Sequence, residues 1–236
     1  MNPGPPPGGL PPARSVLAVC AHPDDESFGL GAVLSGFAEG GAEVALLCLT
    51  CGEASTLGAG VHLADRRRLE LAAAAAELGA GHVDLRDHPD GALCSVGLDR
   101  LAGAVAAAAR LAQADLVVVF DEGGITGHPD HCRATEAALA ATPHLPVLAW
   151  ALPRHVADAL NGAFGASFVG RQDDALDLVV DVDRTRQHRA IACHASQLDD
   201  NPVVARRLAL LGRREWLRWL RPPGHLPPGP GSAVRP

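Results

Sequence analysis

The chain has 236 residues, 47% hydrophobic and 20% charged, the proportions of an ordinary globular domain, which excludes wholesale disorder. Its 27 carboxylates outnumber 20 cations, all of them arginine, for a formal charge of -7, which argues against nucleic acid or an anionic membrane surface as the main partner. Aromatic residues make up 3% and tyrosine is absent, so platforms for stacking bases or sugar rings are thinly supplied.

Twelve of the 19 prolines fall in the two ends, six in Met1–Pro12 and six in Pro222–Pro236. Such Pro/Gly segments bury little apolar surface, so residues 1–13 and 222–236 are expected to be flexible tails around a single domain over 14–221. Val16–Cys20 reads as a buried strand, and the polar turn Ala21–Glu26 follows it at once. Gly29–Glu39 reads as a helix and Val44–Leu49 as a second strand. Asp65–Leu78 is predicted helical, with Asp65 as N-cap and Gly79 as the stop. A strand at His82–Leu85, a helix at Leu98–Leu111 and a strand at Leu116–Phe120 come next. After the loop Asp121–Asp130 come a helix at His131–Ala141 and a strand at Val147–Trp150. The chain closes with a strand at Leu176–Val182, a helix at Arg184–His194 and a Leu/Trp-bearing helix at Val203–Leu220. Alternating helices and continuous apolar strands predict an α/β fold with a mostly parallel sheet and helices on both faces.

Ligands of such sheets bind beyond the carboxyl ends of the strands, which directs attention to Ala21–Glu26, Thr50–Gly60, His88–Leu93 and Asp121–His131. Two of these loops carry a His-Pro-Asp triplet with a further ligand-type residue: Ala21-His22-Pro23-Asp24-Asp25-Glu26 and Gly127-His128-Pro129-Asp130-His131. The bare triplet is also a common turn, and His88-Pro89-Asp90 supplies a third copy. Two extended copies after two strands of one sheet are harder to explain as turns alone. Borderline divalent ions take imidazole nitrogen and carboxylate oxygen together, and a catalytic zinc wants three protein ligands with one position left open. His22 and Asp25 can chelate from the first loop while a histidine of the second closes the set, leaving Asp24 beside the metal as a base.

These strings resemble the LmbE-like (PIG-L) zinc-dependent de-N-acetylases. AHPDDE after the first strand, CLTCGEASTLG after the second and TGHPDH near the middle carry the resemblance, with Arg67-x-x-Glu70-Leu71 and His194-x-Ser196-Gln197 in further agreement. The resemblance implies a Rossmann-like fold and removal of an N-acetyl, or other N-acyl, group from an amino sugar or related glycoside by attack of metal-bound water. It makes His22, Asp25 and His131 the ligands of Zn2+, with Fe2+ accepted by the same set, and Asp24 the general base. His128 becomes the group that stabilises the oxyanion or protonates the leaving amine, oriented by Asp130. Arg67 and Asp90 match substrate-contacting positions, although an arginine in the run Arg66–Arg68 is equally an ordinary solvated residue and Pro-Asp-Gly an ordinary turn. Two departures stand out: Gln187 replaces a lysine frequent in relatives, and no tyrosine is available to cradle an oxyanion.

Glu26 is read as orienting its loop from the N-terminus of the next helix. Cys48-Leu49-Thr50-Cys51 has CxxC spacing but no second pair and lies across a strand end, against a redox or structural-zinc role. Six cysteines in a chain of this size do not make a disulfide framework. No stretch reaches the roughly 20 apolar residues of a membrane span, and the N-terminus lacks the features of a signal peptide. The expectation is a soluble cytoplasmic enzyme acting on a small N-acyl amino-sugar-type substrate, as a monomer or a homo-oligomer. The alternatives are an amidase for another small amide, such as a thiol conjugate or N-acyl glycopeptide, and a non-catalytic metal-containing binding module.

Overall fold

Leucine- and valine-rich runs without polar alternation satisfy their backbones in the middle of a sheet that is covered on both faces. The computed structural model, which describes residues 7–58, 60–198 and 201–224, places them there. Its strands are β1 (Pro7–Gly8), β2 (Ser15–Cys20), β3 (Glu43–Thr50), β4 (Ala80–His88), β5 (Leu116–Phe120), β6 (Val147–Pro153), β7 (Gly170–Arg171), β8 (Leu178–Asp181) and β9 (Arg214–Arg221). The helices are α1 (Asp25–Phe28), α2 (Gly31–Glu39), α3 (Leu63–Leu78), α4 (Leu98–Leu111), α5 (Gly124–Gly127), α6 (Pro129–Ala141), α7 (Arg154–Phe164), α8 (Thr185–Cys193), α9 (Ala195–Leu198) and α10 (Pro202–Leu211).

The sheet runs β1-β8-β9-β6-β5-β2-β3-β4, with β7 added to the end of β6. Every pairing is parallel except those of β9, which runs antiparallel to both β6 and β8. Successive residues of β2 face opposite sides. Val16, Ala18 and Cys20 join a core under α2, α3 and α7, and Leu17 and Val19 join one under α4 and α6. The chain winds outward from β2 through β3 and β4, then returns to place β5 on the other flank of β2. The loops after β2 and β5 therefore face each other across the reversal of strand order, where a crevice opens at the carboxyl edge. No helix among the described residues is long and apolar enough to cross a membrane.

Three expectations are corrected. Val203–Leu220 is not one helix: Gly212, at φ 58°, ends α10, and the chain turns back as β9. Between two partner strands the β9 backbone finds hydrogen bonds on both edges, and that tertiary gain overrides its helical appearance. Asp65 is not the N-cap of α3; it lies in the first helical turn, and His62 occupies the cap position at φ 69° without a side-chain cap bond. Residues 7–13 are not a free tail, because Pro7 and Gly8 pair with Val179 and Val180 and Leu10 and Ala13 pack on the core. A proline is tolerated there because β1 is an edge strand. The tail expectations for 1–6 and 225–236 lie outside the described residues.

The fully buried Glu215 of β9 accepts a 2.6 Å hydrogen bond from Trp150 Nε1 and pairs with the buried Arg184. Glu215→Gln keeps the size and one acceptor but removes the charge opposite Arg184. It is expected to lower unfolding stability by about 1.5–3 kcal/mol, read from urea denaturation midpoints at an unchanged slope.

Candidate active site

The loop after β2 turns sharply so that His22 and Asp25 point the same way. Asp25 Oδ2 accepts the backbone N–H groups of Ala21 (3.0 Å) and His22 (2.9 Å), which fixes the carboxylate and leaves Oδ1 free to face outward. From the other side of the crevice, α6 brings His131 to within 3.1 Å of Asp25 Oδ1, Nε2 to oxygen. His22 Nδ1 lies 3.2 Å from the same His131 nitrogen and 3.8 Å from Asp25 Oδ2. Bonds of about 2.0–2.1 Å to a tetrahedral zinc set ligand atoms about 3.3 Å apart; both contacts of His131 Nε2 match that spacing, and the His22 ring lies somewhat farther, 3.8 Å, from the Asp25 carboxylate.

The far sides of both rings decide the tautomers. His131 Nδ1 lies 3.0 Å from the Gly124 carbonyl, which can only accept, so the ring proton sits on Nδ1 and Nε2 offers its lone pair. His22 Nε2 lies 3.1 Å from Asp90 Oδ1 and 3.3 Å from Asp130 Oδ2, which places its proton there and leaves Nδ1 for a metal. The second loop is shaped for this contact. Gly124 has φ 64°, and a Cβ there would lie 2.7 Å from Cys132 Sγ. Ile125 follows at φ 64°, rare for a β-branched residue, and its carbonyl is held by Val169 N–H at 2.7 Å.

A third imidazole, His128, also lies close enough to His22 and His131 to be considered as a ligand. Its bonding assigns it a different part. His128 caps α6, with Nδ1 accepting the backbone N–H of Asp130 at 3.2 Å, so the proton is on Nε2 and that nitrogen is a donor. Burial, then the neighbouring His131 and His22, hold its pKa below the ordinary histidine value and favour this neutral form. Asp130 therefore holds His128 by its backbone. Its carboxylate, fully buried, turns instead to His22 and to the N–H groups of Gly91 (2.8 Å) and Leu93 (2.9 Å).

Asp24 stands at φ 128°, ψ -25°, a conformation that L-residues rarely adopt and that costs about 1–3 kcal/mol. Its Oδ2 accepts from Arg67 Nη2 at 2.8 Å. Burial pushes its carboxyl up to about 6, a rise that the Arg67 guanidinium limits. Arg67 itself is 3% exposed and also donates to the carbonyls of Pro23 and Gly52. Gly52 is needed for this approach, since a Cβ there would meet Arg67 Nη1 at 2.2 Å. Arg67 is thus a brace for Asp24 at the edge of the cavity rather than the solvated arginine of a charge run. Asp90 lies behind His22, with Oδ2 taken by Ala54 N–H at 2.8 Å. Gln187, at the position noted as a departure, is buried and donates to the Ser27 carbonyl at 3.0 Å.

Of these groups His22, Asp24, Arg67, Asp90 and His128 border a cavity of about 220 Å3, whose wall also includes Ser55 and Gln197. A larger cavity of about 730 Å3 between α8 and α10 holds none of the converging groups and is not the centre of the chemistry. Ser55 and Gln197 were not singled out as contacts from the sequence. Ser55 Oγ donates to Gln197 Oε1 at 2.7 Å across 142 positions, and only the His194-x-Ser196-Gln197 string hinted at this wall. Cys48 and Cys51 are both buried free thiols.

Residues 17–142 match the PIG-L family, described as GlcNAc-PI de-N-acetylase. The chain is similar to proteins named 1D-myo-inositol 2-acetamido-2-deoxy-alpha-D-glucopyranoside deacetylase. That of Kineococcus radiotolerans is 33% identical over 54% of this chain and 44% of its own length. The Streptomyces avermitilis protein is 37% identical over 55% and 53%, so the match spans about half of these two relatives. The Nakamurella multipartita protein is 33% identical over 80% of each chain. Among solved structures, GalB, the 4-carboxy-2-hydroxymuconate hydratase of Pseudomonas putida KT2440, aligns with a TM-score of 0.70 at 22% identity over 89% of this chain and 97% of its own. N,N'-diacetylchitobiose deacetylase of Pyrococcus horikoshii aligns at 0.64 and 22% over 89% and 84%. A hydratase and a deacetylase on one fold leave the reaction to be argued from the site.

Proposed function

Because the chain belongs to the PIG-L family, we propose that it is a metal-dependent hydrolase that removes an N-acetyl group from an amino sugar or related glycoside. The observation that carries this reading is the convergence of His22 Nδ1 and Asp25 Oδ1 on His131 Nε2, with both rings anchored from behind at their other nitrogens. Zn2+ suits that donor set, and Fe2+ is tolerated by it. A cation held there supplies Lewis acidity toward the amide carbonyl and lowers the pKa of water toward neutrality.

The protein groups complete the reaction. Asp24, ionised above about pH 6, takes a proton from the water that adds to the carbonyl carbon. His128 presents Nε2–H to the oxygen that gains charge, and as a neutral imidazole it donates a hydrogen bond without first being protonated. The proton on Asp24 then passes to the nitrogen as the C–N bond breaks, so the amine leaves neutral and the acyl group leaves as a carboxylic acid. Asp90, Ser55 and Gln197 line the wall that the sugar would meet. A cavity of about 220 Å3, below the roughly 300–1,000 Å3 of drug-sized sites, suits a short acyl group and one part of a glycoside, with the aglycone outside.

The deciding experiment pairs metal analysis of the purified protein with amine release from a panel of N-acetylglucosaminides, inositol glycosides included. Near-stoichiometric metal with released amine is expected. Stoichiometric metal with no amine from any glycoside overturns the substrate class, and no metal after reconstitution overturns the site.

Metal loading should also depend on pH. In the metal-free protein burial works against a charged His22, but hydrogen bonds to Asp130 and Asp90 outweigh it and hold the ring up to about 10. Nδ1 then carries a proton at neutral pH, which a cation must displace. Apparent affinity is expected to rise about tenfold per pH unit for each proton released between about pH 6 and 8. Calorimetry in two buffers of different ionisation enthalpy counts the protons, and none released would mean that His22 starts neutral.

A further inference from the structure

We propose that Glu26 and His194 form a positioning pair that holds the backbone of Asp24 in its strained conformation; this rests on the reading of Asp24 as the base. Both side chains are almost wholly buried, at 1% and 0% exposure, and His194 Nε2 lies 2.6 Å from Glu26 Oε1 across 168 positions of sequence. The same oxygen accepts Ser27 Oγ at 2.6 Å. The other oxygen, Oε2, reaches back two residues and accepts the Asp24 N–H at 2.9 Å.

That bond falls on the residue that needs it. With φ at 128°, Asp24 has its N–H turned into the protein, where an unpaired donor is costly. Arg67 fixes the Asp24 carboxylate and Glu26 fixes its main chain, so the proton-accepting oxygen is set from both ends. Glu26 can serve only if its own rotamer is fixed, and His194 supplies that constraint from the junction of α8 and α9. The junction is rigid: His194 N–H bonds Ile191 O at 3.1 Å, and His194 O accepts Gln197 N–H at 2.9 Å. His194 Nδ1 has no partner among the described residues, so the contact with Glu26 is the imidazole's single hydrogen bond. A buried ion pair is weak evidence of stabilisation, and its better-attested use is to specify one geometry.

The test uses the full chain. His194→Leu removes the constraint, and Glu26→Gln keeps the size of Glu26 but leaves one acceptor oxygen where two are used. In each variant the Asp24 amide is expected to exchange with deuterium about tenfold or more faster by NMR, with Val118 in the core of β5 unchanged. On the best N-acetylglucosaminide, kcat should fall about tenfold to a hundredfold at unchanged KM and metal content. In an Asp24→Asn background the same changes should cost nothing further, because what they position is already gone. His194→Gln, which can still donate to Glu26, should recover most of the loss. Unchanged Asp24 exchange, or an activity loss that simply adds to that of Asp24→Asn, overturns the proposal. A wild-type protein that hydrolyses no amide would sink the functional reading instead, and the exchange measurement would still decide the positioning.

Discussion

Asp24→Asn is expected to lower kcat by about a hundred- to ten-thousand-fold while metal content and KM stay near wild type. Asparagine is close to isosteric, and its amide oxygen can still accept from Arg67 Nη2, where Asp24 Oδ2 now sits at 2.8 Å. It also tolerates unusual backbone conformations better than most residues, so the φ of 128° adds little new strain. Arg67 keeps the carbonyls of Pro23 and Gly52 as partners. What disappears is the capacity to take a proton. Activity within tenfold of wild type, with metal bound, would remove Asp24 from the role of base and leave the water to be activated by another group.

The central strands β2, β3, β5 and β6 are legible because each is a short apolar run with no polar alternation, as double-sided burial demands, whereas β4, with His82, Asp84 and Arg86 interleaved, extends beyond the expected His82–Leu85 at both ends. Leu116–Phe120 and Leu98–Leu111 were read at their observed limits for that reason and for the clear helical period of the second. β9 was not legible. Its tryptophans, leucines and arginines permit a helix, and the choice is made by β6 and β8 on either side, which only the assembled sheet provides. α7 was passed over because it begins after Pro153 with no side-chain cap, and only Val156, Ala157 and Leu160 are buried. Val156, Ala157 and Leu160 do share one helical face, so the period is present and it is the start signal that is missing. The pairing of Pro7 and Gly8 has no signature at all in a Pro/Gly-rich stretch.

At the site the same division holds between what lies within one loop and what is assembled from several. His22, Asp24 and Asp25 are gathered by one tight turn, and His128 and His131 by one helix start, so their spacing is visible in the sequence. Arg67 sits in a run of three arginines that looks solvated. Its burial depends on Gly52 leaving room and on two carbonyls that no local pattern announces. Asp130 is similar, since its carboxylate is claimed by Gly91, Leu93 and His22 from other segments. The place of Glu26 at the start of its helix is readable, but its partner 168 residues away is not.

His131→Ala is expected to abolish metal retention and reduce amine release to background. The reason is geometric as well as chemical. His22 and Asp25 come from one loop and would approach a cation from one side, whereas His131 would reach it from across the crevice. Losing it leaves a two-point chelate whose affinity no longer competes with buffer. The fold should survive, because the His131 side chain is not fully enclosed and its contacts are the Gly124 carbonyl, His22 and Asp25, and the rings of His128 at 4.8 Å and Phe120 at 4.9 Å. His128→Ala separates ligand from donor: it should retain metal while kcat falls, because its Nδ1 is already taken by the Asp130 N–H. Asp130→Asn tests the layer behind the ligands and should weaken metal binding by about ten- to a hundredfold, since it loosens the His22 ring rather than removing it. Metal analysis after dialysis against a weak chelator ranks the three. The order His131→Ala, then Asp130→Asn, then His128→Ala follows from ring orientation alone. A His128→Ala protein that lost its metal while His131→Ala kept it would exchange the roles of the two histidines.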